Sequence, residues 1–433
     1  MSSNIFAANV YYAGNVIVSQ TLNVGAITST AAATFSATPA AAANVLTVIG
    51  SSTTGNVFQF SNSAGGNFIM TNAGRLGLGV SNPVQALEVS GSAVVAGTLS
   101  AGNPLMFRNR IINGNFDVWQ RGTSFSSPAT AAYMADRWKI EFDGTAATRT
   151  ISRQTFATGQ TSVPGNPKYF LQMAQTVAGS GGTYFNPIVQ AIESVLTFAG
   201  QVVTVSFWAQ ATVGTPTITV VVGQIFGTVG SPSSTVYTNT PTYTLSANWQ
   251  QYTWTVAVPS ISGKTLGTNG DDYLGIFIRT QPNLVHTVNF ASVQVEKGSV
   301  ATPFEVRPFA TELALCQRYY YQITALTNSG GSQSNINWGI AYVRSAGNAS
   351  IYYSLPVPMR TQPTFFNNAT LQFDWNAVAN LGVFNSPVLV TNKSNNKDIE
   401  IDGTVTGGTQ GQAGAIILAS PTAGQYVSFN AEL

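Results

Sequence analysis

The stretch Gln201-Val-Val-Thr-Val-Ser-Phe-Trp-Ala-Gln210 alternates apolar and polar side chains with a period of two. Successive side chains of a strand point to opposite faces. Two sets are therefore predicted, with Val203, Val205, Phe207 and Ala209 on one face and Thr204, Ser206 and Trp208 on the other. The stretches 249–258 and 273–279 alternate in the same way. Strands with one apolar and one polar face, in a region without long helical patterns, predict a two-sheet jelly-roll β-sandwich in the middle of the chain.

Charge is distributed unevenly along the 433 residues. Charged side chains make up 8% of the chain, and only Arg75 and Glu88 fall within the first 107 residues. This shift predicts a domain boundary after residue 107. The last segment begins with a run that starts at Thr311. Threonine is suited to capping a helix, and the run predicts a helix of about two turns. The predicted domains are 1–107, 108–310 and 311–433.

The first segment contains short β-rich runs separated by Gly, Asn and Ser, at residues 15–19, 45–49, 57–60, 67–70, 86–90 and 93–96. A single thin ribbon of such strands has no second layer to cover its apolar face. Three chains around one axis would bury these faces and remove the free sheet edges. The segment is therefore predicted to be a trimeric β-ribbon or shaft, in which residues 28–44 form an extended shaft, a short helix or a linker.

Several classes of protein are disfavoured by composition. The net charge of +2 gives no basis for binding nucleic acid. No stretch approaches the roughly 20 apolar residues of a membrane helix, so membrane insertion is not expected. Cys316 is the single cysteine, which excludes a disulfide within one chain. No signal peptide is visible at the N-terminus.

Three sets of motifs resemble viral fibre proteins. Gly74-Arg-Leu-Gly-Leu-Gly-Val-Ser-Asn-Pro83 is similar to a repeat common in phage and other viral fibres. The stretches 110–122, 135–138, 205–209 and 293–298 resemble jelly rolls related to carbohydrate-binding modules. The stretches 311–320 and 358–363 resemble the C-terminal domains of such fibres. The resemblance implies an all-β protein: an N-terminal trimeric shaft, a jelly-roll sandwich and a C-terminal β-sandwich.

The resemblance also implies a function. A homotrimeric tail fibre would be made in the host cytoplasm and displayed on the virion. Its N-terminal segment would bind other virion proteins, and it would attach to a host-surface glycan or other receptor without catalysing a reaction. Two alternatives stay open: a purely structural collar, baseplate or capsid-surface fibre, and a fibre that carries a glycan depolymerase.

Glycan binding requires exposed aromatic faces together with a few polar groups. The residues predicted to lie opposite the core face of their strands, and so to bind carbohydrate, are Trp208, Tyr273, Phe277 and Arg279. The alternative is that these side chains fill the second sheet's interior or a trimer contact.

Carbohydrate-binding jelly rolls often hold a structural calcium ion where the first and last strands meet. The resemblance places Asn115, Asp117 and Glu296 at that location, and their oxygens are ligands that calcium prefers. The alternative is that Asn115 serves a turn and Asp117 is solvated.

No catalytic residue is predicted. His286 is the only histidine, and no nucleophile motif accompanies it. A glycosidase needs two facing carboxylates, whereas the adjacent Asp271 and Asp272 would point to opposite faces of a strand. Asp398, Glu400 and Asp402 would share one face, which is more typical of a solvated strand that resists aggregation. The chain is therefore predicted not to be an enzyme.

Overall fold

The computed structural model describes residues 56–61, 67–71, 73–90, 107–142, 148–180, 186–238, 240–324, 326–327, 333–334, 336–374, 381–419 and 425–433. The chain forms two compact units, Met1–Ser100 and Ala101–Leu433. The predicted boundaries after residues 107 and 310 stay predictions. The predicted strands at 15–19, 45–49 and 93–96, and the predicted shaft or linker at 28–44, lie outside the described residues.

The described part of the first unit is one four-stranded sheet with the order β1-β2-β3-β4. Its strands are β1 (Asn56–Ser61), β2 (Asn67–Thr71), β3 (Leu76–Leu78) and β4 (Leu87–Val89). The pairs β1–β2 and β2–β3 are antiparallel, and β3–β4 is parallel. The β-rich runs predicted at 57–60, 67–70 and 86–90 are thus confirmed as strands.

The middle of the chain folds as a sandwich of two sheets. Its strands are β5 (Ser124–Ser126), β6 (Trp138–Ile140), β7 (Thr148–Thr155), β8 (Tyr169–Val177), β9 (Asn186–Glu193), β10 (Val202–Val213), β11 (Thr217–Ile225), β12 (Val236–Tyr237), β13 (Thr242–Thr244), β14 (Gln250–Ala257), β15 (Tyr273–Thr280) and β16 (His286–Lys297). The first sheet has the order β14-β10-β16-β8-β7-β5. The second has the order β12-β11-β15-β9-β6, with β13 also paired to β11.

The alternation in the sequence corresponds to the faces of these strands. On β10 the side chains of Val203, Val205, Phe207 and Ala209 are fully or almost fully buried in the core. On β15 of the opposite sheet, Leu274, Ile276 and Ile278 enter the same core. Burial of such side chains contributes roughly 1.5–3 kcal/mol each. The predicted all-β fold class and the two-sheet jelly roll are confirmed.

The described part of the chain contains one helix, and it begins earlier than predicted. Helix α1 spans Phe309–Gln317, with Pro308 at the N-cap and no side-chain cap. Thr311 is therefore not the capping residue. Proline fits the start of a helix because the first amides have no partner within the helix. No helix in the described residues is long and apolar enough to cross a membrane.

The last segment contains a closed β-barrel. Its strands are β17 (Tyr320–Thr324), β18 (Leu326–Thr327), β19 (Gln333–Ser334), β20 (Ile336–Ser345), β21 (Asn348–Ser354), β22 (Thr364–Asn367), β23 (Thr370–Asp374), β24 (Leu381–Leu389), β25 (Asp398–Val405), β26 (Ala413–Ala419) and β27 (Tyr426–Asn430). Six of them form a closed barrel, β20-β21-β25-β24-β23-β26, beside the sheet β17-β27-β22 and the pair β18-β19. The predicted C-terminal β-sandwich is corrected in this detail, because β26 pairs with both β20 and β23 and closes the sheet into a barrel.

The end of the chain contacts the sandwich through buried charges. Arg137, which is 1% exposed, donates hydrogen bonds to Glu432 and to the carbonyl oxygen of Ala191. Its guanidinium also lies 3.5 Å from the ring centre of Tyr319. Arg121 binds the same carboxylate of Glu432 at 3.2 Å. Two arginines of the sandwich thus share one carboxylate of the last segment.

We expect Glu432→Gln to destabilise the fold strongly. The substitution removes the carboxylate that neutralises a fully buried arginine, and breaking such a pair costs about 3–5 kcal/mol. Urea unfolding followed by tryptophan fluorescence measures the loss. Glu193→Gln is the matched control, because Glu193 binds Arg318 at 2.8 Å with both side chains about 40% exposed, and such pairs contribute under about 1 kcal/mol. Equal losses from the two variants would contradict the buried pair's role.

Candidate functional site

The four side chains predicted to bind carbohydrate lie on two different sheets. Trp208 is on β10 of the first sheet, whereas Tyr273, Phe277 and Arg279 are on β15 of the second. Each points away from the shared core, so the two groups occupy opposite outer faces of the sandwich. The structure therefore does not bring Trp208 together with the other three.

Trp208 lines a cleft of about 330 Å³ on the outer face of the first sheet. The cleft has a floor on the sheet and a wall on either side. Its lining residues are Pro164, Gly165, Trp208, Gln251, Ala301, Thr302, Pro303 and Phe304. The volume lies within the roughly 300–1,000 Å³ typical of sites for small ligands.

The floor of the cleft depends on a β-bulge beside Trp208. Opposite Trp208, β14 places Gln251 and β16 places Ala291. The register between β10 and β16 shifts between Ser206 and Trp208, where Ser292 has a φ of 51°. A bulge redirects side chains locally and is common beside functional sites. With the small Ala291 on one side, the half-buried Trp208 ring is free to face the cleft.

One wall of the cleft is tied to the sheet by Glu296. Its carboxylate accepts hydrogen bonds from the Thr302 amide at 2.8 Å and from the Thr302 hydroxyl at 2.7 Å. Gln294 adds a bond from its side-chain amide to Glu296 at 2.8 Å, and its amide oxygen accepts from the Glu305 backbone at 2.9 Å. The segment that carries Thr302 and Phe304 is thus fixed at two points.

The opposite wall is the loop between β7 and β8. Gln160 bonds to the backbone of Val163 in both directions, at 2.8 and 2.9 Å, and Val163 is fully buried. The rings of Phe156, Phe170 and Trp249 pack together at centroid distances of 4.7–5.4 Å. Phe156 and Phe170 lie at the two ends of the loop, so this cluster holds its base.

The lining of the cleft suits an uncharged polar ligand. None of its lining residues carries a charge. Trp208 and Phe304 supply aromatic surface, Gln251 supplies an amide, and Thr302 supplies a hydroxyl that is already bound to Glu296. Trp208 is among the residues predicted from the sequence, whereas Gln251, Thr302 and Phe304 are not. Gln251 follows from the register of β14, which only the fold reveals, whereas Thr302 and Phe304 lie in a segment without periodicity.

On the opposite face, the predicted residues are arranged differently. Phe277 is only 4% exposed and packs with Val189 and Val221. It lies over two glycines, because a Cβ on Gly223 or Gly275 would come within 3.0 Å of its ring. Tyr237, which the sequence did not single out, packs edge-on against Phe277 at 5.9 Å and is 55% exposed. Tyr237 is therefore better placed than Phe277 for stacking on a ligand.

Arg279 and Tyr273 flank this aromatic pair. The Arg279 guanidinium lies 5.7 Å from the ring centres of Tyr237 and Phe277. Lys139 lies 5.4 Å from the ring centre of Tyr273 and binds Glu141 at 3.0 Å. Burial raises the pKa of Tyr273. These contacts give the second face a mixed charged and aromatic character, unlike the cleft at Trp208.

The three predicted calcium ligands are not assembled into one site. Asn115 and Asp117 line a small cavity that Glu296 does not line. Glu296 instead binds Thr302 and lies 3.6 Å from Arg108, while Asn115 accepts a hydrogen bond from Ser292. Within the described residues, no group of three His, Cys, Asp or Glu side chains could hold a metal. The calcium ion stays a prediction.

His286 occupies a structural position at the start of β16. It is fully buried, and its Nδ1 lies 2.8 Å from the Leu284 carbonyl oxygen. Burial lowers its pKa, and the nearby Arg149 lowers it further. The ring is therefore neutral at ordinary pH, and His286 is the first residue of β16.

The candidate carboxylates are engaged in structural contacts. Asp271 accepts hydrogen bonds from the Thr228 amide and hydroxyl. Asp272 accepts from the Val195 amide at 2.8 Å. On β25, Asp402 binds Arg344, and Glu400 binds Lys393 at 3.0 Å. Asp398, Glu400 and Asp402 do alternate along β25, and two of them form ion pairs on the outer face of the barrel.

We expect Asp117→Asn to stabilise the protein at pH 7.5. Burial, with the charge of Glu312, raises the pKa of Asp117 to about 6. The folded state thus binds its proton more tightly than the unfolded state, and stability falls as the pH rises through about 6. Removing the charge should raise the free energy of unfolding by on the order of 1 kcal/mol at pH 7.5, and this gain should vanish near pH 4. Urea unfolding midpoints at the two pH values measure it.

Asp271→Asn is the control of opposite sign. Burial acts to raise the pKa of Asp271, but the hydrogen bonds from Thr228 outweigh it and lower the pKa. This variant should therefore destabilise the protein at pH 7.5. If Asp117→Asn were destabilising in calcium buffer and neutral after chelation, the raised pKa would be wrong and a calcium ion would be supported.

The comparisons with known proteins found no matching family model and no matching curated protein. Among solved structures, the chain is similar to a CBM4 carbohydrate-binding module, at 19% identity and a TM-score of 0.26, over 43% of this chain and 98% of the module. It is similar to the enzymatically active domain of tailspike protein 4 of bacteriophage CBA120, at 13% identity and a TM-score of 0.30, over 49% of this chain and 25% of the tailspike chain. A third similarity is to a CBM22 xylan-binding domain from Paenibacillus barcinonensis, at 15% identity and a TM-score of 0.26, over 37% of this chain and 92% of that domain. These similarities are weak, and they do not identify a ligand for this chain.

Proposed function

We propose that this chain binds neutral glycans through the cleft at Trp208. The observation that carries the proposal is a partly buried tryptophan between two fixed walls, in a cleft whose lining has no charged residue. An indole face packs against the C–H groups of a sugar ring, and Gln251 offers a hydrogen-bond donor and an acceptor to its hydroxyls. A sugar with a carboxylate or sulfate would lose its hydration there without gaining an ion pair.

The fixed walls favour binding because little ordering is needed when the ligand arrives. Ligand-induced ordering of a loop subtracts from affinity, so a preformed cleft keeps more of its contact energy. Glu296 and Gln294 hold one wall, and Val163 holds the other. A site with one tryptophan is nevertheless a weak site for a single sugar.

Weak single sites are useful when several act together. The protein is proposed to be a homotrimeric virion fibre, attached to other virion proteins through its N-terminal segment. Three linked clefts raise the overall affinity for a glycan-coated host surface without any new contact. The low charge of the first 107 residues and the fibre-like motifs around Gly74 support this part of the proposal.

The proposed role is binding without catalysis. The carboxylates that could form a glycosidase pair, Asp271, Glu400 and Asp402, are held by Thr228, Lys393 and Arg344. An acid and a base need carboxyl groups that face one bond across about 5–10 Å. Incubation with host polysaccharide should therefore release no oligosaccharides, and release that depends on Asp271 or Asp398 would support the depolymerase alternative.

We expect Trp208→Ala to lower glycan binding at least about tenfold, because removing one well-packed aromatic contact costs more than about 1.4 kcal/mol. A glycan array with neutral and acidic glycans, followed by calorimetry on the best ligand, measures the effect. Trp208 lies on an outer face of the sandwich, so the unfolding midpoint should change little.

Tyr237→Ala is the matched control on the opposite sheet. It removes an exposed aromatic side chain of similar character and should leave binding unchanged. If Tyr237→Ala abolished binding while Trp208→Ala did not, the site would belong to the second sheet. Selective binding of acidic glycans would contradict the uncharged cleft as the site.

A further inference from the structure

Two Asn-Gly pairs occur in the sequence, at Asn113-Gly114 and at Asn269-Gly270. In such a pair the glycine nitrogen approaches the asparagine side chain easily, because glycine has no Cβ and its backbone is the least restricted. The reaction that follows converts asparagine to aspartate or isoaspartate with loss of ammonia, and it needs no enzyme. The two pairs have the same intrinsic chemistry, so the fold decides which of them reacts.

The fold protects Asn113. This residue is 1% exposed. Its Nδ2 donates to the carbonyl oxygens of Val118 and Asp136 at 2.8 and 3.0 Å, and its Oδ1 accepts from the Val118 amide at 2.9 Å. Gly114 is packed as closely, since a Cβ there would lie 2.2 Å from the Val293 carbonyl oxygen. Neither the side chain nor the backbone has room to form a ring.

Asn269 lies in the opposite environment. It is exposed, in the loop between β14 and β15. Its side-chain amide donates to the hydroxyl of Thr228 at 2.9 Å, and Thr228 is exposed as well. A Cβ on Gly270 would meet no atom within 4 Å. The open space lets the Gly270 nitrogen move toward the Asn269 side chain, and solvent supplies the water that completes the reaction.

We propose that Asn269-Gly270 is a site of spontaneous deamidation in the folded protein. The Gly270 nitrogen attacks Cγ of Asn269, so that a C–N bond forms and the Cγ–Nδ2 bond breaks. Ammonia leaves with the proton of the Gly270 amide. The cyclic imide then takes up one water molecule. Opening at Cγ gives aspartate, whereas opening at the backbone carbonyl carbon gives isoaspartate, whose main chain is one carbon longer. The inference is independent of glycan binding at the Trp208 cleft.

The modification places a second negative charge beside Asp271. In the unmodified protein the Thr228 hydroxyl accepts from Asn269 and donates to Asp271. Loss of ammonia removes the donor and leaves two carboxylates beside one hydroxyl proton. Because like charges at close range disfavour each other, the contact between this loop and Thr228 weakens.

An isoaspartate also disturbs a contact with the last segment. The carbonyl oxygen of Gly270 accepts a hydrogen bond from Arg360 at 3.0 Å. The same guanidinium donates to the carbonyl oxygens of Ala431 at 2.9 Å and Glu432 at 3.3 Å. One arginine thus joins the loop to the C-terminal residues. An additional main-chain carbon before Gly270 displaces its carbonyl group from this arginine.

The first test compares the two asparagines within one sample. The full chain is kept folded at pH 8.5, and a second portion is kept in guanidinium chloride at the same pH. Samples taken over time are digested with trypsin, which releases Asn269 in the peptide 265–279 and Asn113 in the peptide 111–121. Mass spectrometry follows the deamidation of each peptide, with the sample taken at the start as the blank.

In the folded chain Asn269 should deamidate at least about tenfold faster than Asn113, since Asn113 reacts only after local opening of the fold. In guanidinium chloride the two should react at similar rates. Asn269→Gln is the matched variant, because glutamine keeps the amide but cyclises far more slowly, and its peptide should stay unchanged. Equal rates in the folded chain, or an intact Asn269 there while both react in guanidinium chloride, would overturn the proposal.

A second measurement tests the consequence for the contact with Arg360. Aged chain, separated from unmodified chain by ion exchange, should unfold at a lower denaturant concentration than fresh chain. Asn269→Gln kept for the same time should unfold as its own fresh sample does. Asn269→Asp carries the new charge without the longer main chain, so it should lose less stability than the aged chain. An equal loss would show that the contact with Arg360 plays no part, and no loss on ageing would overturn both consequences.

Discussion

Strand β10 is the element on which the sandwich and its cleft both depend. Its inner face fills the core with Val203, Val205 and Phe207, and its outer face carries Trp208. Because the side-chain period of a strand is two, a shift of one residue in register would exchange these roles completely. The core therefore fixes the position of the candidate ligand-binding residue. The bulge at Ser292 on the neighbouring strand adjusts the site locally without altering the packing beneath it.

Charges are few in this chain, and many of them act in pairs at the junction between the sandwich and the last segment. Glu432 accepts from Arg137 and Arg121, and Arg318 binds Glu193 across the same boundary. The aromatic rings of Tyr319 and Tyr320 lie against the two arginines at 3.5 Å. Buried ion pairs add little net stability but are costly to break. They favour one fixed arrangement of the sandwich and the last segment over a flexible link.

The sequence predicted the features that depend on the local alternation of apolar and polar side chains. The inner and outer faces of β10 and β15 follow from alternation alone, and the structure confirms them. Strand pairing depends on distant parts of the chain, so the sequence placed Trp208 and Tyr273 together although they lie on different sheets. The barrel could not be predicted for the same reason, because β26 closes it by pairing with both β20 and β23. The burial of Phe277 depends on two glycines on adjacent strands, Gly223 and Gly275, and no pattern within one strand reveals it.

Three of the β-structures among the described residues, the sandwich, the barrel and the four-stranded sheet, differ in how their apolar faces are covered. Every sheet has an apolar face that must be covered. In the sandwich, two sheets cover each other, with Phe207 of one packing in the same core as Ile276 of the other. In the barrel, the sheet closes around Ile351, Phe373 and Ile401 and so becomes its own partner. The four-stranded sheet has no second sheet among the described residues, and its apolar Met70 and Leu87 are 44% and 58% exposed. A sheet of four short strands is too narrow to close on itself, so neither solution of the other two β-structures is open to it.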